Sequence, residues 1–498
     1  MIRSIESKYY TDKISLNQAN LIKISSIIKE SGVCFGTSGM RGLVCAMTDR
    51  VCWFYVTAFL QEIVPSTKRI VLGHDLRPSS PIIAAYCALA IQAKGIEIIY
   101  AGALPTPALA NYAFEEAIPA LMVTGSHIPF DRNGIKFYTP EGELNKQQEQ
   151  MMMDAVVADI DIADYCSSKL QMSITPIFNY KERYLQFFPC HFLNGIRIGV
   201  YEHSSVARDF LSEILTCFGA QVISLGRTDK FIPIDTEAVS EQDQALGASW
   251  ADTYQLDAIV STDGDADRPL IADETGRWLR GDVVGLLCAI YLGTDVVVTP
   301  LSSSTAIERC NLFKKVIRTK IGSPYVIEAM EGILDANLYN GIVGFEANGG
   351  VLLGDEIEKY IRFIKPLLTR DAVLPILCLL AFAREKNITL SLLEASLPCR
   401  FTASNRLQNF SQKSSKQLFS HLRSSPEIIK EWFAGMCGEV IDRNDLDGLR
   451  LTFSSGEIIH LRASGNAPEL RCYAESDTDK KADQLVKITL KHASEFVV

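Results

Sequence analysis

The stretch "RIVLGHD" (69–75) is a short run rich in β-forming residues. A helical pattern, "PIIAAYCALAIQAKG", follows it, and a second β-rich run, "EIIYAG", comes next. Strands that alternate with helices in this way indicate a βαβ unit with parallel strands. The same succession recurs after "IRIGVYEHSS" (196–205) and after "DVVVTPLSSS" (295–304). Three widely spaced units of one kind predict three similar α/β domains rather than a solenoid.

The last hundred residues have a different pattern. The segment 401–425 is rich in Ser and Gln and carries little strand signal. Further along, "DLDGLRLTF" and "GEIIHLRAS" alternate apolar and polar residues around an Asp-Gly turn, which is typical of an antiparallel hairpin. We therefore expect an α/β protein with three related α/β domains, each with a mixed sheet, and a C-terminal α+β domain. The expected domain boundaries are 1–152, 153–275, 276–400 and 401–498.

Composition limits the classes of function. The chain has 498 residues, enough for about three or four domains, and 47% of them are hydrophobic. A net charge of −10 argues against a protein that coats nucleic acid or an anionic membrane. An anionic substrate would therefore have to be bound by a local basic site.

Neither a targeting segment nor a cysteine framework is indicated. The N-terminal "MIRSIESKYYTDK" has no apolar core, so it is not a signal peptide. The longest apolar run, "VLPILCLLAFA" (373–383), is too short to span a bilayer and predicts a buried helix. The thirteen cysteines include no C-x-x-C pair, so we expect reduced, mostly buried thiols rather than zinc or disulfides. A soluble, cytoplasmic protein is the expectation.

The motif "STDGDADRP" (261–269) places three carboxylates at alternate positions, Asp263, Asp265 and Asp267. Like charges that converge repel one another unless a cation lies between them. Oxygen ligands without His or Cys favour Mg²⁺. The alternative is a solvated acidic turn at the end of a strand.

Three further loops suit a phosphorylated sugar. "RASGNAPELRCY" (462–473) combines two arginines with small polar residues, an arrangement that holds phosphate. "FGTSGMRG" (35–42) has three glycines and Arg41, and its glycines permit close approach of a ligand. "GFEANGG" (344–350) offers Glu346 and Asn348, which suit sugar hydroxyls. Each of these could also be an ordinary turn.

A serine, a histidine and a lysine share the loop "VTGSHIPFDRNGIKFY" (123–138). Free serine is a poor nucleophile, but a metal site opposite can activate it and neutralise its phosphate. Lys136 and His127 could move a proton or neutralise developing charge. With metal and phosphate loops in the same chain, phosphoryl transfer through Ser126 is favoured over a simple turn.

Together these motifs resemble the α-D-phosphohexomutase family, which includes phosphomannomutase, phosphoglucomutase and phosphoglucosamine mutase. The resemblance covers nearly the whole chain, and four motifs occur in the family's order: "FGTSGMRG", "TGSHIPFDRNGIK", "DGDADR" and "RASGNAPELR". "LPTPALA" (104–110) and "TKIGSPYV" (319–326) also look like family segments. The resemblance implies four domains around a central cleft, with one loop from each domain lining it. It further implies reversible transfer of phosphate between O1 and O6 of a hexose through a bisphosphorylated intermediate.

The resemblance also implies roles for individual residues. Ser126 would be the phosphoserine, and a phosphoserine oxygen would join the three aspartates around Mg²⁺. Arg41, Lys136 and His127 would serve acid–base and charge-stabilising roles. Hexose 1,6-bisphosphate would be the activator. The implied substrate-binding residues are Arg268, Thr319, Gly322, Glu346, Asn348, Arg462, Ser464, Gly465, Asn466 and Arg471.

The chain departs from the family pattern at several of these loops. Gly125 and Ile128 replace the usual Ala and Asn around the serine. In the sugar loop, Asn348 and Gly350 stand where Ser and His are common. In the phosphate loop, Asn466 and Ala467 stand where Thr and Glu are common, although an amide can still donate to phosphate.

Phosphomannomutase activity is the expectation, and phosphoglucomutase or phosphoglucosamine mutase activity are the alternatives. A phosphatase would need an activated water, which no motif supplies. A non-catalytic sugar-phosphate-binding protein is a third class, and the intact Ser126, Lys136 and aspartates argue against it. The expected partner is a hexose phosphate, with no nucleic acid and no membrane, and the chain would be a monomer or homodimer.

Overall fold

The structure, a computed structural model, describes residues 20–36, 38–160, 170–334, 338–464 and 468–496. Its first part contains β1 (Leu21–Lys23), α1 (Ile24–Ser31), β2 (Cys34–Phe35), β3 (Met40–Leu43), α2 (Asp49–Ala58), β4 (Arg69–His74), α3 (Ser80–Ala93), β5 (Glu97–Ala103), α4 (Thr106–Glu115), β6 (Ala120–Val123), β7 (Arg132–Tyr138), α5 (Lys146–Asp154) and β8 (Val156–Ala158). A 3₁₀ turn (Val44–Ala46) precedes α2, and a π turn (Phe59–Ile63) continues it.

The second part contains α6 (Thr175–Phe187), β9 (Arg197–Tyr201), α7 (Arg208–Cys217), β10 (Gln221–Leu225), α8 (Glu241–Tyr254), β11 (Ala258–Thr262) and β12 (Pro269–Ala272). The third contains α9 (Gly281–Leu292), β13 (Val296–Pro300), α10 (Ala306–Arg309), β14 (Lys315–Thr319), α11 (Ser323–Leu334), β15 (Ile342–Phe345), β16 (Val351–Leu353), β17 (Ile357–Lys359), β18 (Arg362–Ile364), β19 (Leu367–Asp371), α12 (Val373–Lys386) and α13 (Leu390–Ala395). The last contains β20 (Phe401–Gln408), α14 (Gln412–Ser424), α15 (Pro426–Trp432), β21 (Val440–Asn444), β22 (Leu449–Phe453), β23 (Ile458–Ala463), β24 (Glu469–Ser476) and α16 (Asp479–Glu495).

The three βαβ units share one strand order. The sheets contain the runs β5-β4-β6-β7, β10-β9-β11-β12 and β14-β13-β15-β16. In each run the first three strands are parallel and the fourth is antiparallel to the third. Three related α/β units with mixed sheets are therefore confirmed. Each of the four predicted domains contains one large sheet, while the boundaries between the domains stay a prediction.

The first unit illustrates why the sequence folds in this way. Every residue of β4 after Arg69 is buried, as expected for a strand covered by helices on both faces. The helix α3 has Pro81 in its first turn, where the missing N–H costs nothing. Gly95 follows α3 with a φ of +68°, a conformation that stops the helix and that glycine adopts without strain.

The prediction of little strand structure in 401–425 is wrong. The strand β20 occupies 401–408 and pairs along its whole length with β24, and α14 follows it. This strand lies at the edge of the sheet, and its side chains are mostly exposed. Its Ser, Asn and Arg residues therefore carry little apolar signal, and the backbone ladder to β24 determines its structure. The predicted antiparallel hairpin is confirmed, because β22 pairs antiparallel with both β21 and β23.

The apolar run 373–383 forms the buried helix α12, as predicted. Twelve cysteines lie in the described ranges and all are free thiols; Cys166 is outside those ranges. Five of the twelve are exposed and five are buried, so the expectation of mostly buried thiols is wrong. Among the described helices, none combines the length and apolar character that a bilayer crossing requires.

Three consecutive residues of β19 connect the α/β units. The Thr369 hydroxyl donates to Glu143 Oε1 at 2.8 Å, and Glu143 follows β7 of the first unit. Asp371 accepts a hydrogen bond at 2.7 Å from the hydroxyl of Tyr180 on α6 and also caps the start of α12. Arg370 lies between them and extends into the site described below.

Candidate active site

In each of the three α/β units, one structurally equivalent connection carries predicted functional residues. It joins the third parallel strand to the antiparallel strand, and comprises 124–131, 263–268 and 346–350. The carboxyl ends of parallel strands are where α/β sheets commonly bind ligands. The Ser126 hydroxyl donates to Asp263 Oδ2 at 2.6 Å, so the first two connections meet directly. Arg370 joins the third to the second through Glu346 and Asp267.

Ser126 is held in an unusual backbone conformation. Its φ is +50°, in the left-handed region that residues other than glycine seldom adopt, and the residue is 1% exposed. Its N–H donates to the Thr124 hydroxyl at 2.8 Å. The Ser126 hydroxyl also lies 3.3 Å from His127 Nδ1. Strained residues of this kind are typical of functional sites, where the surrounding structure stabilises them.

Arg77, which the motifs did not single out, shapes this loop from beneath. Its buried guanidinium donates to four loop carbonyls, those of Ser126, Ile128, Pro129 and Arg132. A Cβ on Gly125 would lie 2.5 Å from Arg77 Cζ, so the glycine provides the space that the arginine occupies. The one available signal was the position of Arg77 in the loop that follows β4, three residues after the carboxyl end of a central strand.

The three aspartates converge as predicted. Each is buried, and one carboxylate oxygen from each lies within 4.8 Å of the others. Lys136 donates to Oδ2 of Asp265 at 2.7 Å and to Oδ2 of Asp267 at 2.6 Å. The Thr106 hydroxyl, in the predicted segment "LPTPALA", also donates to Asp265 Oδ2 at 2.6 Å.

The remaining oxygens of this cluster fit a divalent cation. Within the described ranges, Oδ1 of Asp265 and Oδ1 of Asp267 are buried and accept no hydrogen bond. Leaving such an oxygen without a partner costs about 1–3 kcal/mol, and more when it is charged. Burial and the charges of Asp265 and Asp267 raise the pKa of Asp263 well above its usual value. An Mg²⁺ ion would compensate for both effects, and the all-oxygen donor set suits it.

Lys136 lies on β7 with its ammonium group buried between the aspartates. Burial lowers the pKa of this lysine, but Asp265 and Asp267 outweigh burial and raise it above its ordinary value. The side chain is therefore a fixed positive charge at neutral pH. Lys136 therefore suits the stabilisation of negative charge better than the acceptance of a proton. Of the two roles expected from the sequence, the structure favours charge stabilisation.

Two arginines, Arg41 and Arg268, lie near His127, the residue after Ser126. Arg268, burial and Arg41 together lower the pKa of His127 to about 2, so its imidazole is neutral. Burial, followed by Arg268 and Arg370, lowers the pKa of Arg41 to about 10, which leaves it charged at neutral pH. Cations placed this close together indicate a site for a strongly anionic ligand.

The third connection contains the predicted sugar-contacting residues. Glu346 is 5% exposed and accepts a hydrogen bond from Arg370 Nη1 at 3.0 Å. Asn348 Oδ1 accepts from the N–H of Gly350 at 2.9 Å, so that oxygen closes its own turn. Only its amide N–H groups remain for a ligand.

The segment 319–323, where β14 passes into α11, contacts the last domain. The Thr319 hydroxyl donates to the Lys320 carbonyl at 2.8 Å, and Gly322 has a φ of +131°. The N–H of Ile321 donates to Asp447 Oδ2 at 3.0 Å. The same carboxylate pairs with Arg462 at 2.9 Å, so the two loops adjoin.

Arginines form a row across the last sheet. Arg462 on β23 is directly opposite Arg471 on β24, and Arg471 is opposite Arg406 on β20. Arg406 was missed because its segment was not predicted as a strand. Ser464 is buried, whereas the predicted Gly465 and Asn466 lie outside the described residues.

The last sheet and the third connection line one cavity. Ala347 of that connection and Tyr473 of β24 both border it, as does Glu237. The structure therefore brings the serine, the aspartates and the buried Glu346 together, and it places the last sheet next to the third connection.

Comparison with known proteins identifies the same regions. The phosphoglucomutase/phosphomannomutase models match as alpha/beta/alpha domain I over 32–161, domain III over 280–401 and the C-terminal domain over 412–491. The chain is 48% identical over 478 residues to a phosphomannomutase of Salmonella muenchen, which covers 95% of this chain and 98% of that protein. It is 43% identical over 464 residues to a phosphomannomutase of Sinorhizobium fredii, with 91% and 97% covered.

A solved structure shows that the fold is shared as well. A phosphoglucomutase/phosphomannomutase family protein from Burkholderia thailandensis superposes with a TM-score of 0.70 at 17% identity, over 93% of this chain and 98% of that one. The sequence resemblance, the repeated sheets and these matches agree. The chain belongs to the phosphoglucomutase/phosphomannomutase family.

Proposed function

We propose that this enzyme is a phosphomannomutase, which transfers phosphate reversibly between O1 and O6 of a hexose phosphate through a phosphoserine. The observation that carries the proposal is the 2.6 Å hydrogen bond from the Ser126 hydroxyl to Asp263, inside a buried three-aspartate cluster. The two relatives at 48% and 43% identity carry this activity in their names, whereas relatives at 27% identity over 91% and 92% of the chain are named phosphoglucosamine mutases. Phosphoglucomutase and phosphoglucosamine mutase activities are the alternatives, since those sugars differ from mannose only near C2.

The proposed cycle starts with phosphate on Ser126. The bond between Ser126 Oγ and phosphorus breaks, a bond from the free sugar hydroxyl to phosphorus forms, and the hydroxyl proton ends on Ser126 Oγ. The product is a hexose 1,6-bisphosphate, which turns over in the cleft. Its other phosphate then returns to Ser126, and the serine proton ends on the released sugar hydroxyl. Free hexose 1,6-bisphosphate would act as activator by phosphorylating the serine.

The chain's own residues supply orientation and charge for this cycle. Asp263, Asp265 and Asp267 would hold Mg²⁺ together with an oxygen of the phosphorylated Ser126, and the ion would withdraw charge from the transferring phosphate. Lys136 donates to one oxygen of Asp265 and to one oxygen of Asp267, and within the described ranges the other oxygen of each accepts no hydrogen bond.

The basic groups around Ser126 complete this arrangement. Arg41 and Arg268 supply positive charge where negative charge develops on the transferring phosphate. The neutral imidazole of His127 helps to orient the serine oxygen. Each of these groups is in place before substrate binds, which is what electrostatic stabilisation of phosphoryl transfer requires.

The outer part of the cleft would bind the sugar and its second phosphate. Glu346 would accept hydrogen bonds from sugar hydroxyls, with Asn348 donating from its amide. The proposed residues for the non-transferring phosphate are Arg462, Ser464, Gly465, Asn466 and Arg471, with Thr319 and Gly322 lining the approach. A cytoplasmic location, the four domain boundaries and a monomeric or homodimeric state stay predictions.

The assignment is tested with purified protein and three substrates in parallel. Mannose 1-phosphate, glucose 1-phosphate and glucosamine 1-phosphate are supplied at equal concentration with Mg²⁺ and glucose 1,6-bisphosphate. We expect formation of mannose 6-phosphate with the highest kcat/KM, weaker turnover of glucose 1-phosphate, and dependence on the bisphosphate. Highest activity on the glucosamine substrate would change the assigned sugar, and release of inorganic phosphate as the main product would indicate a phosphatase.

Arg462→Ala is expected to raise KM for all turned-over hexose phosphates by a similar factor, because the arginine contacts phosphate and not the sugar. Loss of one charge-assisted contact corresponds to roughly a 10- to 150-fold effect. Arg443→Ala is the control, since Arg443 lies in the same sheet but pairs with Asp445 at the exposed edge. A change in sugar preference without a common rise in KM would contradict the phosphate role.

A further inference from the structure

Arg370 bridges two of the three functional connections. Its Nε and Nη2 donate to Asp267 Oδ2 at 3.1 and 2.7 Å, and its Nη1 donates to Glu346 Oε1 at 3.0 Å. The side chain is 3% exposed. One rigid guanidinium therefore holds a metal-cluster carboxylate on one side and the proposed sugar-contacting carboxylate on the other.

The sugar loop is shaped around this arginine. A Cβ built on Gly350 would lie 2.7 Å from Arg370 Cδ and 2.9 Å from its Cγ, closer than real Cβ contacts come. Any side chain at position 350 would displace the arginine or be displaced by it. Gly350 thus leaves the space that the Arg370 side chain fills.

The backbone around Arg370 is fixed independently of the site. Its two neighbours, Thr369 and Asp371, bond to Glu143 and to Tyr180 in other units. The guanidinium therefore approaches both carboxylates from an anchored strand, and little rotamer entropy remains to be lost when ligands bind. Such an anchored strand is suited to setting the position of a neighbouring group.

The division of oxygens around Asp267 shows what the bridge does. Lys136 and Arg370 both donate to Oδ2, which leaves Oδ1 without a hydrogen-bond partner in the described part of the chain. Lys136 alone could hold Asp267, but among these groups only Arg370 also contacts Glu346. The arginine thus serves a role that the lysine does not, the orientation of Glu346 relative to the phosphoryl-transfer centre.

We propose that Arg370 is a positioning residue that sets the Glu346 carboxylate at a fixed place relative to the metal cluster. Through Glu346 it determines how the hexose ring is presented to Ser126 and which epimer is preferred. The inference rests on the proposed mutase function. It adds to that function a residue that none of the sequence motifs contains.

The test compares Arg370→Ala, Arg370→Lys, Glu346→Gln and the double variant Arg370→Ala/Glu346→Gln. We expect Arg370→Ala to lower kcat/KM for mannose 1-phosphate roughly 10- to 150-fold, with a fall in kcat as well as a rise in KM. The ratio of mannose to glucose activity should change in the same direction as in Glu346→Gln. The double variant should have a kcat/KM only slightly below that of Arg370→Ala, because both substitutions remove the same interaction between Arg370 and Glu346.

A second readout does not depend on turnover. Mg²⁺ binding to the substrate-free variants is measured by calorimetry, and we expect affinities within about threefold of wild type because Lys136 still holds Asp267.

Two further variants serve as controls. Arg370→Lys keeps the positive charge but not the forked guanidinium, so it should retain stability and recover only part of the activity. Arg183→Ala is the matched control, since Arg183 is also a buried arginine but donates to the Lys365 carbonyl away from the cleft.

The possible outcomes separate the inference from the proposed function. If the wild-type protein turns over no hexose phosphate, the proposed function fails. If wild type is active and Arg370→Ala keeps the wild-type ratio of mannose to glucose activity, the positioning role is wrong. It is also wrong if the losses of kcat/KM from the two single substitutions multiply in the double variant. Loss of Mg²⁺ affinity in parallel with kcat would also overturn it, by making Arg370 only a support for the metal cluster.

Discussion

Ser126→Ala is expected to abolish mutase turnover, with a loss of about 10⁴-fold or more, as is typical when a covalent nucleophile is removed. The reason is that every transfer in the proposed cycle passes through the serine oxygen, and among the described residues no other hydroxyl bonds to the Asp263 carboxylate. The Thr124 hydroxyl is committed to the Asp75 carboxylate at 2.8 Å and also accepts from the Ser126 N–H. The fold should be retained with a loss of stability of about 1–3 kcal/mol, because the hydroxyl gives up its contacts with Asp263 and His127 and leaves a buried carboxylate oxygen without its donor.

Intact-mass and peptide mass spectrometry provide the direct measurement. In purified wild-type protein, a fraction of the chains should carry one phosphate on the peptide that contains Ser126, and glucose 1,6-bisphosphate should raise that fraction. The variant should show neither. Ser415→Ala, which changes a buried serine of α14 in the last domain, serves as the control and should keep both phosphate and activity. Full activity in Ser126→Ala, with phosphate on another residue, would refute the assignment.

Asp265→Asn is expected to lower turnover by about 10³-fold and to remove the stabilisation that Mg²⁺ provides. The amide keeps the shape of the side chain but takes one negative charge from a site where Oδ1 of Asp265 is open for a cation. A ligand at 100 times its Kd stabilises the folded state by about 2.7 kcal/mol. At the same Mg²⁺ concentration, a variant whose affinity is strongly reduced should gain almost nothing.

Thermal unfolding with chelator and with Mg²⁺ measures this gain for each protein. Asp273→Asn is the matched control, because Asp273 is also 1% exposed or less but accepts hydrogen bonds from Thr275 and Arg277 outside the cluster. The control should unfold at a lower temperature in both buffers and keep its response to Mg²⁺. An undiminished Mg²⁺ response in Asp265→Asn would show that the metal binds elsewhere.

The sequence predicted the centre of the site well because the chemistry there is local. The three aspartates lie within five residues, and Ser126, His127 and Lys136 share one loop, so their patterns are visible without the fold. The convergence of the serine with the aspartates, inferred from chemistry alone, is confirmed by a 2.6 Å hydrogen bond.

The supporting arginines could not be predicted in the same way. Arg77 lies in the loop after β4 and bonds to the distant connection between β6 and β7, and Arg370 on β19 bonds to Asp267 in another unit. Their sequence neighbourhoods, "LRPSS" and "TRDAV", give no period or motif that indicates buried charge. Arg406 was missed because an edge strand with polar side chains resembles a loop until its backbone partner is known.

The fold was predicted to the level of its units but not of its strand order. The βαβ runs gave three α/β domains, since hydrophobic period and length distinguish strands from helices. All three sheets share a run of three parallel strands and one antiparallel strand. Recognising this run in the sequence requires locating short strands such as β12 and β16. These segments follow the functional connections, where glycines and aspartates obscure the strand pattern.

The connection of three units through β19 has a consequence for the order of protein synthesis. Glu143 and Thr369 are 226 residues apart in the chain, and Asp267 and Arg370 are 103 apart. At synthesis rates of about 5–20 residues per second, Glu143 waits about 10–45 s on the ribosome for Thr369. Arg41, Arg77 and Lys136 are made before the aspartates and can supply counter-charge during that time, whereas Arg370 is added later. No nascent chain that stops short of β19 can therefore hold a complete site.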